Sequence, residues 1–137
     1  MTTKQFLPLP YGKDVYSELK DNGCYFVDKT PYLKELIDKD KSNVMLFTRP
    51  RRFGKTLFMS MVEYFLKINS ANPGDTILQQ KLFKDTKILE DREFCEKYMG
   101  QHPVICLTLK GVHGVDFEDA YYKLAEVVSA KANEYSF

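Results

Sequence analysis

The stretch Val44–Leu57, VMLFTRPRRFGKTL, constrains this chain more than any other, because three different patterns meet in it. Val44 to Phe47 is an unbroken apolar run, the kind that fills a parallel strand buried on both faces. Thr48 to Gly54 is rich in arginine. From Lys55 to about Ile68 the apolar residues Leu57, Phe58, Met61, Val62, Phe65, Leu66 and Ile68 recur at helical spacing, and the polar, proline- and glycine-bearing stretch 69–74 ends the helix. Strand, loop and helix in direct succession predict an α/β fold of the P-loop NTPase type, a parallel sheet flanked by helices.

The rest of the chain is read outward from this unit. Residues 1–23 form a lead-in with Pro8, Pro10 and Gly12, a short charged helix near 14–20 and a turn at Asp21–Gly23. A unit over 24–69 begins with the β-prone run Cys24–Val27. In it Thr30 is placed to cap a helix and Pro31 suits the first position of that helix, which runs to about Asp38 with Leu33, Leu36 and Ile37 inward. A polar turn at 39–43 precedes Val44. Residues 75–101 read as edge cover or an insertion, anchored by Leu82, Phe83, Ile88 and Leu89, with a charged helix near 91–98. Over 103–135 a second buried strand, Pro103–Leu109, is followed by a loop and by a helix from Asp116, with Phe117, Tyr121, Leu124, Val127 and Val128 on one side.

Composition narrows the function. The 20 basic and 19 acidic residues of the 137 leave a formal charge of +1, so no global field points to nucleic acid or membrane, and electrostatic function must come from local clustering. The dense cluster is Arg49, Arg51, Arg52 and Lys55. Cys24, Cys95 and Cys106 lie far apart without metal-ligand spacing, which fits a reducing cytoplasm better than a disulfide framework or a zinc site. No signal-peptide pattern opens the chain and no apolar segment approaches a membrane span.

A phosphate-binding loop works by converging backbone N–H groups on phosphates at a helix amino terminus, where the helix dipole favours negative charge. In RPRRFGKT, Gly54 lets the backbone come close, Lys55 reaches the outer phosphates, and the Thr56 hydroxyl is the magnesium ligand. The usual pattern has glycine where Arg49 stands, followed here by Pro50, which has no N–H to donate. The donors facing the outer phosphates come from about Arg52 to Thr56, and none of them is proline.

Three segments, Tyr25-Phe-Val-Asp-Lys-Thr30, Arg49-Pro-Arg-Arg-Phe-Gly-Lys-Thr56 and His102-Pro-Val-Ile-Cys-Leu107, closely resemble the predicted AAA-ATPase-like proteins of bacteria, and the likeness runs from about Phe6 onward. The resemblance implies that the arginine-proline opening is the family's own form of the loop and that the parallel sheet is incomplete in this chain. It also implies ATP and Mg2+ as ligands, with Arg49, Arg51, Arg52, Phe53, Gly54, Lys55, Thr56 and Leu57 around the nucleotide and Asp28, in a signature with Lys29 and Thr30, near its base or ribose. Family members look longer: a later apolar strand ending in Asp positions magnesium and the attacking water, and a nuclease-like domain of the PD-(D/E)xK type often follows. Pro103–Leu109 ends in Lys110 and cannot supply that carboxylate. The resemblance thus places this chain at the amino-terminal part of the module, able to bind ATP without hydrolysing it by itself.

A second reading keeps the arginine loop as a contact surface for nucleic acid or a partner protein, with binding that is sensitive to salt. A third makes the chain a non-catalytic remnant. Glu18-Leu-Lys20 has the Glu-x-Lys spacing of restriction-type nucleases but reads as helix, and His102 and His113 have no partner at ligand spacing. Asp116, Glu118 and Asp119 gather at a helix start, where carboxylates complement the dipole without metal.

Overall fold

The computed structural model describes residues 7–37 and 44–134, so the turn expected at 39–43 lies outside the described residues. The chain divides into two compact units, Met1–Pro103 and Val104–Phe137.

The first unit is built from helices: α1 (Tyr16–Asp21), α2 (Pro31–Ile37), α3 (Lys55–Leu66), α4 (Ile77–Leu82), a 3₁₀ turn at Lys87–Glu90 and α5 (Arg92–Tyr98). Helical periodicity places Met61 and Phe65, four residues apart, on the buried face of α3. Aromatic rings make the spine of the core. Tyr16 packs on Phe83 with ring centroids 4.9 Å apart, Phe83 meets Phe65 edge-on at 5.3 Å, and Phe65 stacks on Phe94 at 5.8 Å. All of these rings but Phe94 are fully buried. Burial on this scale stabilises by roughly 2–3 kcal/mol for each large side chain.

Polar contacts fix the helices around that spine. The Tyr16 N–H donates to Ser60 Oγ at 3.0 Å and Ser17 Oγ bonds Tyr64 Oη at 2.9 Å, tying α1 to α3. Helix α3 ends because its last carbonyls find partners elsewhere: Phe65 O accepts from Gly100 N at 2.8 Å, Leu66 O from His102 N at 2.9 Å, and Lys67 O from Gln79 Nε2 at 2.9 Å. Asp91 caps α5 by accepting from the Phe94 N–H at 3.1 Å. Residues 75–101, expected as edge cover or insertion, supply Leu82, Phe83, Ile88, Phe94, Cys95 and Met99 to this core.

The α/β expectation is corrected. Among the described residues there is no strand and no sheet, hence no parallel sheet of the P-loop NTPase type. Val44–Phe47 forms no strand, and Val44 and Leu46 are 81% and 85% exposed, whereas a central parallel strand would bury both faces. Pro103–Leu109 likewise forms no strand. Apolar content makes a run suitable for a strand; only neighbouring strands in register turn it into one, and that condition is not local. β pairing among the described residues comes down to one isolated parallel bridge, Lys67 with His102.

The second unit contains α6 (Phe117–Glu134), entered through Asp116, whose side chain accepts from Asp119 N at 2.8 Å. Lys123 Nζ donates to Asp119 Oδ2 at 3.0 Å, an i,i+4 pair on that helix. The apolar side expected of α6 is open: Phe117, Tyr121 and Val128 are all exposed.

Candidate phosphate-binding site

Gly54 is the residue before α3 and sits in the left-handed region at φ 74°, ψ 28°, a conformation glycine adopts without a Cβ penalty. Having no side chain, it leaves the helix without a side-chain cap. The first intrahelical bond runs from Phe58 N to Gly54 O at 2.9 Å, so the N–H groups of Lys55, Thr56 and Leu57 lie ahead of the hydrogen-bonded ladder. Arg52 is also left-handed, at φ 68°. For a residue with a Cβ this costs about 1–2 kcal/mol, a local strain of the sort found at ligand-binding turns.

The arginine-proline opening has a defined role in this geometry. Lys55 Nζ donates to the carbonyl of Arg49 at 2.6 Å and to that of Pro50 at 3.1 Å. Proline lacks an N–H but keeps its carbonyl, and here the carbonyl is what is used. The loop therefore holds its own lysine across its mouth.

A cleft of about 500 Å3 opens beside the loop, lined on its polar side by Lys29, Glu35, Arg49, Gly54 and Lys55 and on its apolar side by residues that include Met45, Phe47 and Phe58. Phe47 and Phe58 pack with centroids 5.5 Å apart, which joins the run before the loop to the helix after it. A second cleft of about 350 Å3 includes Arg52 and Leu57 and shares Lys29, Phe53, Gly54 and Phe58 with the first. Of the sequence-derived site residues, Arg49, Phe53, Gly54 and Lys55 thus line one cleft and Arg52, Phe53, Gly54 and Leu57 the other. Arg51 and Thr56 are exposed and line neither.

Asp28 also lines neither cleft. Its Oδ1 accepts from Thr30 N and its Oδ2 from Lys87 N, both at 2.9 Å. Partial burial pushes its carboxyl up, but the N–H groups of Lys87 and Thr30, together with the Thr30 hydroxyl, hold it below the usual carboxylate range. The cap expected of Thr30 takes another form: its hydroxyl, fully buried, accepts from Ile88 N at 3.2 Å and bonds Asp28. Asp28 and Thr30 therefore clamp the start of α2 to the 3₁₀ turn.

Sequence reasoning missed Glu35, and placed Lys29 with Asp28 beside the base or ribose, whereas of Asp28, Lys29 and Thr30 only Lys29 lines the clefts. Lys29 lies inside the Asp-Lys-Thr signature, between two residues whose side chains turn into the clamp, and that alternation was the available signal. Among the described residues no group of three or more His, Cys, Asp or Glu is assembled to hold a metal, and no helix is long and apolar enough to cross a membrane.

The fold and site define a helical unit with a glycine-lysine-threonine turn at the start of its longest helix and a cation-lined cleft beside it. The family described as Predicted AAA-ATPase matches residues 10–137. The chain belongs to that predicted AAA-ATPase family. A protein of Azotobacter chroococcum mcd 1 described as "Uncharacterized protein in vnfD 5'region" is 25% identical over 122 residues, 88% of this chain and 20% of that protein. The chain thus spans about a fifth of the length of the curated relative it matches. No solved structure matches it.

Proposed function

We propose that this chain binds a nucleoside triphosphate, ATP by family resemblance, at residues 49–57, as part of a predicted AAA-ATPase module. The observation that carries the reading is the uncapped, left-handed Gly54 at the head of α3, with the Lys55 ammonium beside it and a cleft of nucleotide size adjoining. The first-turn N–H groups would take phosphate oxygens, and Lys55 would exchange the Arg49 and Pro50 carbonyls for the outer phosphates. By family resemblance magnesium would accompany the phosphates and take the Thr56 hydroxyl, a residue in the first turn of α3 that lines neither cleft, and would neutralise charge on the phosphate chain. Asp28 is left out of the nucleotide set, since backbone amides occupy both of its oxygens.

Calorimetric titration with Mg·ATP tests the reading. Lys55→Ala is expected to weaken binding by at least about tenfold while the protein stays folded, since a charge-assisted bond is worth about 1.5–3 kcal/mol. Unchanged affinity in that variant would remove the loop from nucleotide binding. The exposed Arg51, outside both clefts, favours a second reading in which the loop contacts nucleic acid. That reading requires salt-sensitive binding to DNA or RNA that ATP does not compete.

A further inference from the structure

We propose that Lys29, which precedes α2 and lies outside the loop, supplies a second cation to the phosphate chain of the nucleotide held at residues 49–57. The proposal deepens the reading just given and rests on it.

The clamp explains why Lys29 is available. Asp28 and Thr30, on either side of it, are committed to Lys87 N and Ile88 N at 2.9 and 3.2 Å, which fixes the backbone of 28–30 from one side. Lys29 is exposed between them and borders both clefts. Its ammonium lies 3.9 Å from the point that a Cβ on Gly54 would occupy, so it reaches the head of α3 from across the cleft. No ion pair or side-chain hydrogen bond engages that ammonium among the described residues. Lys55, by contrast, is held by two loop carbonyls.

Charge states what the ligand must be. Lys29, Arg49 and Lys55 line the larger cleft against one carboxylate, Glu35. Three cations around one helix amino terminus suit a ligand with several adjacent negative charges, a nucleoside di- or triphosphate, more than a monophosphate. Lysine fits this role as a compact charge on a flexible stem, able to follow the phosphate chain without a fixed fork geometry.

The test compares Mg·ATP with AMP on the wild type and on Lys29→Ala, Lys29→Arg and Lys55→Ala, with urea midpoints to confirm folding. Lys29→Ala is expected to weaken Mg·ATP about tenfold and AMP less than about threefold, so that the preference for the triphosphate shrinks, while Lys29→Arg keeps most of it. Wild-type affinity in Lys29→Ala alongside loss in Lys55→Ala would overturn the role of Lys29 and leave the loop reading standing. Equal losses for Mg·ATP and AMP would overturn it too, since Lys29 would then not be reading the phosphate chain. Wild-type affinity in Lys55→Ala would sink the loop reading, and the proposal with it.

Discussion

Replacing Asp28 by asparagine separates a structural role for the Tyr25–Thr30 signature from a nucleotide-binding one. The carboxylate accepts two backbone N–H groups at 2.9 Å and the Thr30 hydroxyl. An amide keeps one acceptor oxygen but turns an NH2 group toward the second N–H, so one donor is left facing another donor. An unsatisfied donor costs about 1–3 kcal/mol, and loss of the charge weakens the bond that remains. Asp28 is only half-buried, and water recovers part of this, so the expected loss is about 2 kcal/mol at neutral pH. The chain has no tryptophan, so urea unfolding is best followed by far-ultraviolet circular dichroism. A pH series adds a second readout. The folded carboxyl titrates below its ordinary value, so its contribution is complete above pH of about 4 and is lost as the pH falls through the folded-state value. The Asp28→Asn protein has no carboxyl there to protonate and cannot show that acid loss, so the two proteins should converge in acid. A destabilisation under about 0.5 kcal/mol, well below the cost of one orphaned donor, would refute the clamp. More than about a tenfold loss of Mg·ATP affinity in the folded variant would return Asp28 to the nucleotide.

Three further substitutions probe neighbouring links. Phe65→Ala removes a fully buried ring that touches Phe83 and Phe94, and should cost about 3–5 kcal/mol in urea unfolding; a loss below about 1 kcal/mol would mean that the aromatic spine is not the core. Thr30→Val keeps the shape but orphans Ile88 N, for an expected cost of about 1–3 kcal/mol, whereas Thr30→Ser should retain most of the stability; equal effects would exclude the hydroxyl as the cause. Gly54→Ala meets no clash, its Cβ standing 3.9 Å from Lys29 Nζ, but must hold φ 74°, so it should lose about 1 kcal/mol of stability and weaken Mg·ATP as the turn shifts; a neutral result on both would show that the left-handed turn is dispensable.

What the sequence made legible was local. The α3 periodicity, the glycine before it and the α5 and α6 segments all appear where spacing and turn residues place them, within a residue or two at most ends. Hydropathy could not reveal whether Val44–Phe47 and Pro103–Leu109 find neighbours, because a strand is a relation between distant segments. The same limit hid the partners of Phe83: it is an anchor of 75–101 as its apolar character implied, but Tyr16 and Phe65 are what meet it, and no window around Phe83 contains either. Asp28 shows the effect most clearly. Its second partner, Lys87 N, lies 59 residues away, so a signature that resembles a ligand contact is bonded to the protein's own backbone. The Asp-Lys-Thr signature reads as one unit, and only the fold places Lys29 at the clefts while its two neighbours turn to the backbone.

The seat of the Lys55 ammonium on the Arg49 and Pro50 carbonyls bears on how fast and how selectively the loop can respond. A free lysine carries about 2 kcal/mol of rotamer entropy, much of which this one has already surrendered to its own loop. An arriving anion meets a charge in a known place and need not search for it, but must offer more than two carbonyl dipoles do. If the loop takes a nucleotide as proposed, an anion too weak to displace those two carbonyls would leave the arginine-proline opening closed on its own lysine.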